Sequence, residues 1–78
     1  MKFTVYSKDG CPYCTKIKMV LELANLETTI YNLDVDYTKA EFYNKFGDGS
    51  TFPQVICDGK YLGGCSKAIE YLRENKIF

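Results

Sequence analysis

The sequence predicts an α/β fold in the order β-α-β-α-β-β-α, a four-stranded mixed sheet with helices on both faces. Three observations predict it. Segments rich in β-branched and aromatic residues alternate with segments of helical periodicity. The first strand, helix and strand make a β-α-β unit, which implies a parallel pair with a right-handed crossover. Nearer the C-terminus, two short strand-like runs flank Asp58-Gly59 and add an antiparallel pair.

Each element has its own signal. "KFTVYS" (Lys2 to Ser7) is β-branched and aromatic and reads as a strand. Ile17, Val20, Leu21 and Ala24 then recur at helical spacing with Lys16, Lys18 and Glu22 off the stripe, an amphipathic helix over Pro12 to Asn25. Pro12 suits a first helical turn, where its missing N–H is not needed and its φ is preset. "TTIYNLDV" (Thr28 to Val35) returns to strand character. Thr38 and Glu41 form a capping-box pattern that opens a short helix, with Phe42, Tyr43 and Phe46 as its inner face and "GDGS" as its end. "PQVIC" and "KYLGG" surround the two-residue loop, which suits a type I′ turn. Ser66 is expected to cap a last helix that buries Ile69 and Leu72.

At 78 residues the chain is expected to form one domain, 1–78, with a small core. Hydrophobic residues make up 46%, which argues for a folded globule. The formal net charge is zero with no basic tract, against a duplex nucleic-acid binder. No apolar run approaches membrane-spanning length, and "MKFTVYSK" alternates where a signal peptide would be continuously apolar. The reading is therefore a cytoplasmic protein with no membrane partner, and neutral charge and small size suggest a monomer. The absence of histidine removes Cys-His pairs, Ser-His-Asp triads and every histidine-containing metal site.

Of four cysteines, Cys11 and Cys14 are three positions apart in "DGCPYCTK". Such a pair can staple a fold, hold a metal or exchange electrons. A cytosolic chain argues against a permanent staple. A metal needs a second pair of ligands, and Cys57 and Cys65 are too widely spaced across a hairpin for a zinc knuckle, so no metal is expected. Electron exchange fits best, because the pair lies where a strand exits and a helix begins. A thiol reacts as thiolate, and helix N–H groups and the helix dipole favour a negative sulfur. The sulfur of Cys11 can meet the N–H groups of Tyr13 and Cys14, with Lys8 adding positive charge nearby. Cys14, one turn in, has fewer such groups. The asymmetry makes Cys11 the nucleophile and Cys14 the resolving thiol. Cys57 reads as a small apolar strand residue. Cys65 is either a buried thiol at a helix start or a neighbour of the active site.

These residues resemble the dithiol glutaredoxins. "CPYC" is that family's active-site form, "TFPQVI" (Thr51 to Ile56) resembles its Thr-Val-Pro segment with Phe52 in place of Val, and "GGCS" (Gly63 to Ser66) resembles its glycine pair before the last helix. The motifs fall in the family's order over nearly all the chain, whose small size resembles phage or bacterial members. Thioredoxin itself fits poorly: its motif is CGPC after a tryptophan, and this chain has no Trp.

The resemblance implies a thioredoxin-like fold and a glutathione-dependent oxidoreductase acting on protein disulfides and glutathione mixed disulfides. It implies that Pro53 is a cis-proline facing the thiols and that Phe52 pairs its backbone with the cysteinyl part of glutathione. Lys8, Tyr13 and Lys39 would line the glycyl end. The N–H groups of Cys65 and Ser66 would hold the γ-glutamyl carboxylate, with Thr51 and Gly64 completing the contacts. Lys67 departs from the family pattern, since many members carry Asp there. Family analogy offers ribonucleotide reductase as one protein partner. Two rivals stay open at this stage: recharging by a flavoprotein reductase in place of glutathione, and an iron–sulfur cluster held between two protomers through Cys11 and glutathione.

Overall fold

A computed structural model describes residues 1–77, with seven elements in the expected order: β1 (Lys2–Ser7), α1 (Pro12–Leu23), β2 (Glu27–Asn32), α2 (Lys39–Phe46), β3 (Gln54–Cys57), β4 (Lys60–Gly63) and α3 (Cys65–Glu74). The sheet runs β2-β1-β3-β4. β1 and β2 are parallel, and the other two pairings are antiparallel.

Strand alternation divides the molecule into two layers. Phe3 and Val5 on β1 and Val55 and Cys57 on β3 point to one face, where they are buried with Ile17 and Leu21 of α1 and Cys65, Ala68 and Leu72 of α3. Tyr6 points to the other face, where its ring lies 5.3 Å from Tyr31, 5.1 Å from Tyr37 and 5.0 Å from Phe46. α2 covers that second face through Phe42 and Phe46. Cys57, as expected, is a buried apolar strand residue.

β2 starts one residue earlier than expected, at Glu27, β3 starts after Pro53, and β4 ends at Gly63. Three further differences from the sequence reading each have a local reason. α1 stops at Leu23, two residues before Asn25, because Asn25 takes a left-handed conformation (φ 56°). The Asn25 and Leu26 N–H groups then turn back to the Glu22 and Leu21 carbonyls at 2.9 and 3.1 Å, a Schellman ending. β2 ends at Asn32 instead of Val35. The Asp36 carboxylate accepts the Asn32 N–H at 2.8 Å, and Asp34 is left-handed (φ 64°), so the chain turns and leaves Val35 80% exposed. Ser66 does not cap α3. Gly64 is the N-cap and makes no side-chain hydrogen bond, while Ser66 already lies in the first turn.

Other signals hold, though Ile69 of α3, expected to be buried with Leu72, is only half-buried. Thr38 and Glu41 form the full capping box, with bonds of 3.0 and 3.2 Å. Asp58 and Gly59 both have positive φ (49° and 85°), the requirement of a type I′ turn. β4 carries one feature without a sequence signal, a bulge. Val55 opposes Gly63 and Ile56 opposes Tyr61, so Leu62 is the extra residue. The bulge bends the end of β4 where it approaches the cysteines.

Candidate active site

The sheet topology gathers one end of three strands. β1 and β4 run the same way and β3 runs against them, so the C-terminal ends of β1 and β4 and the N-terminal end of β3 share one edge. The segments 8–14, 51–53 and 64–67 are attached to those ends. Residues far apart in sequence meet there because of the strand order.

Cys11 is the N-cap of α1, with extended backbone (φ −107°, ψ 106°). Gly10 before it is left-handed (φ 70°), which lets the chain turn from strand to helix. The Cys11 Sγ accepts the Cys14 N–H at 3.2 Å, an N-cap bond made by sulfur where Ser or Asp would ordinarily serve. Of the two N–H groups expected to reach the sulfur, that of Cys14 makes the bond, the usual N-cap geometry for the third helical residue. No acidic residue lies in the first turn to oppose a negative sulfur. Cys11 is 8% exposed and Cys14 is fully buried, and both are free thiols. Burial, helped by its hydrogen bond and charge interaction with Cys11, pushes the Cys14 thiol up to about 11 against the pull of the Lys8 backbone N–H and the Lys18 ammonium. The two thiols therefore differ in access as well as in partners.

Phe52 divides the space around Cys11. On one side a groove of about 430 Å³ is lined by Lys8, Cys11, Lys39, Thr51 and Phe52, together with Gly10, Pro12, Tyr43 and Ser50. On the other, a groove of about 200 Å³ is lined by Tyr13, Thr51, Phe52, Pro53, Gly64, Cys65, Ser66 and Lys67. The expected binding residues all line one of these two grooves, with Cys14 buried beneath, but Tyr13, expected beside Lys8 and Lys39, lies in the smaller groove, apart from them. Tyr13 stands out from the surface, 61% exposed. The Phe52–Pro53 bond is cis, and Pro53 is buried. The Cys11 thiol lies 3.9 Å from the Phe52 carbonyl oxygen. A Cβ on Gly64 would sit 3.6 Å from the Pro53 carbonyl oxygen, which brings the start of α3 against the proline without demanding glycine. Cys65 satisfies both readings offered for it, being buried at the first position of α3 and lining the second groove.

Tyr43 and Ser50 were not singled out as site residues. They sit on α2 and the following loop, and only the packing of α2 on the sheet brings them to the groove. What holds Phe52 was equally invisible: its ring stacks on Phe42 (centroids 4.0 Å apart, planes 12°), and the Lys8 ammonium lies 5.0 Å above it. A groove of about 450 Å³ also opens among Tyr6, Tyr31, Tyr37 and Phe42 on the second face, but it contains no thiol. Among the described residues no three Cys, Asp or Glu side chains converge as a metal site requires, and no helix is long and apolar enough to cross a membrane.

Comparison with known proteins agrees with this geometry. Residues 3–62 match the sequence model of the Glutaredoxin family. The chain is 32% identical over 76 residues to a glutaredoxin of Vernicia fordii, an alignment that spans 94% of this chain and 73% of that protein. It is 33% identical over 81 residues to glutaredoxin 1 of Salmonella typhimurium, spanning 94% and 93%. Among solved structures, the buckwheat glutaredoxin–glutathione complex superposes with a TM-score of 0.79 at 28% identity, covering 96% of this chain and 71% of that one. Reduced Escherichia coli glutaredoxin superposes at 0.81 over 97% and 98%, and at 23% identity it speaks for the thioredoxin-like fold alone.

Proposed function

From the premise that this chain belongs to the glutaredoxin family and is a thiol–disulfide oxidoreductase, we propose that Cys11 and Cys14 carry the reaction and that glutathione is the reductant. The observation that carries the assignment is the bond from the Cys14 N–H to the Cys11 sulfur, made at a groove mouth by the more accessible of the two thiols. The Cys11 thiolate attacks a substrate disulfide. A new S–S bond forms to one substrate sulfur, and the other leaves as thiolate and takes a proton from water. Cys14 then attacks the Cys11 sulfur, which releases the second substrate thiol and closes the Cys11–Cys14 disulfide. Two glutathione molecules return the pair to the dithiol, and leave as glutathione disulfide. A glutathionylated protein instead passes its glutathione to Cys11, and a second glutathione removes it without Cys14.

The two grooves suit glutathione lying across Phe52. Phe52 and Thr51 offer backbone to an extended tripeptide, next to cis Pro53. Lys8 and Lys39 supply positive charge for the glycyl carboxylate in the larger groove, and Tyr13 borders the smaller one. The start of α3, left without a side-chain cap by Gly64, offers the N–H groups of Cys65 and Ser66 to the γ-glutamyl carboxylate. A capping side chain at position 64 would compete for the Ser66 N–H, and glycine there leaves that donor to the ligand. The whole of 1–78 acts on this reading as one cytoplasmic, monomeric domain, with disulfide-bonded or glutathionylated proteins as substrates and ribonucleotide reductase among the candidates. An NADPH-coupled assay tests the reductant. Turnover is expected with glutathione and glutathione reductase and not with thioredoxin reductase, and the reverse pattern would reject glutathione.

Lys67 lines the smaller groove in the first turn of α3, where its side-chain stem lies against Gly63. A cation there opposes the helix dipole and repels the γ-glutamyl ammonium. Lys67→Asp is expected to raise kcat/KM for glutathionylated substrates by a few-fold, about 1 kcal/mol, with the gain shrinking as salt is added. Unchanged kinetics at low salt would mean that position 67 does not read the ligand.

A further inference from the structure

Ser7 is the one buried polar side chain among the described residues, and it is fully buried at the end of β1. Its hydroxyl accepts a hydrogen bond from the Lys18 ammonium at 3.2 Å and donates to the Asn32 Oδ1 at 3.0 Å. The Tyr37 hydroxyl donates to the Ser7 carbonyl at 2.6 Å. Lys18 stands four residues after Cys14 on α1, so the two share a helix face one turn apart. Off the apolar stripe by type, Lys18 lies half-buried at the flank of the face that buries Cys14, Ile17 and Leu21. Among the described residues no carboxylate lies within ion-pair distance of its ammonium, the single ion pair being Lys2–Glu27. The charge is thus held at the edge of the core by a neutral hydroxyl.

Cys14 has the opposite need. In the proposed reaction it must become a thiolate while fully buried, and an unpaired buried charge is costly. We propose that Lys18 is a positioning residue for the resolving step: its ammonium, held by the Ser7 hydroxyl, stabilises the Cys14 thiolate that attacks Cys11. This rests on the Cys11 and Cys14 roles proposed above. Cys14 gives its proton to water and its thiolate forms the bond to the Cys11 sulfur. The Cys11–glutathione bond breaks, and the departing glutathione thiolate takes a proton from water. The mixed disulfide itself is the oxidant. The groups that face Cys14 are Cys11 and Lys18 of α1, the Lys8 backbone N–H after β1, and Tyr37, whose phenol burial keeps protonated. Lys18 alone among them presents its charge to Cys14, because Lys8 faces Cys14 through its backbone N–H while its ammonium lies over the Phe52 ring.

The test isolates that step. Protein loaded at Cys11 with glutathione from its pyridyl disulfide at acid pH is jumped to a series of higher pH values, and glutathione release is followed. In Lys18→Gln the midpoint of the rate is expected to rise by about one pH unit. Such a rise lowers the thiolate fraction about tenfold and raises thiolate nucleophilicity about threefold, so release near neutral pH slows about threefold. Lys18→Arg, which keeps the charge, is expected to restore the native midpoint. If Lys18→Gln does not fold, Ser7→Ala keeps the lysine but frees its ammonium, and the midpoint is again expected to rise. An unchanged midpoint in the variant measured, or an arginine variant that behaves like glutamine, overturns the inference while leaving the proposed function standing. Failure of Cys11 to accept glutathione overturns both.

Discussion

Cys11→Ser is expected to abolish both activities, the reduction of protein disulfides and the removal of glutathione from mixed disulfides, by on the order of a thousandfold or more. Every proposed step forms or breaks a bond to that sulfur, and a serine hydroxyl stays protonated where a thiol ionises. Cys14→Ser is expected to separate the two activities. It retains most of the deglutathionylation, because a second glutathione can resolve the mixed disulfide from the groove. It loses protein-disulfide reduction, because no internal thiol remains to release the bound protein. The backbone N–H that bonds the Cys11 sulfur at 3.2 Å belongs to residue 14 whatever its side chain, so the nucleophile keeps its cap in this variant. Parallel assays on a glutathionylated peptide and a disulfide-bonded protein give the answer. Severe loss of both activities in Cys14→Ser would reverse the proposed roles.

Phe42→Ala is expected to be the most disruptive change outside the cysteines. Phe42 is almost fully buried, and its ring contacts Tyr37, Tyr43, Phe46 and Phe52. Truncating a buried phenylalanine costs about 3–5 kcal/mol. A domain of this length has roughly 4–12 kcal/mol in total, so the variant loses a large share of its stability. Chemical denaturation measures the loss. Phe42→Leu, which keeps most of the volume, should lose less stability, yet still raise KM for glutathionylated substrates, because the flat support under Phe52 is gone. A Leu variant with native KM would show that the Phe52 backbone holds its place without the stack.

The local elements were legible because their causes are local. A capping box needs residues 38 and 41 alone, a type I′ turn needs Asp58-Gly59, and a strand with one face in the core shows its alternation in six residues. The places where the reading slipped are those where a side chain or backbone angle overrode the pattern. Leu33 and Val35 continue the apolar alternation of β2, but the Asp36 carboxylate captures the Asn32 N–H and turns the chain. Ser66 is a good capping residue by type, but the chain is already helical at Cys65, so the serine arrives too late to cap.

The sequence by itself determined the cysteine pair and its place at a strand-to-helix junction, which follow from residue type and short spacing and survive any arrangement of the rest of the chain. The other candidate site residues came from the resemblance to the dithiol glutaredoxins. Tertiary structure alone decided how they meet. The order β2-β1-β3-β4 brings residues 8–14, 51–53 and 64–67 to one edge of the sheet, and the packing of α2 brings Lys39 and Tyr43 beside them. It also set Phe42 beneath Phe52 and the Lys18 ammonium on Ser7, contacts between residues ten and eleven positions apart. No local pattern encodes such contacts, because they depend on which strands are neighbours and which face each helix covers.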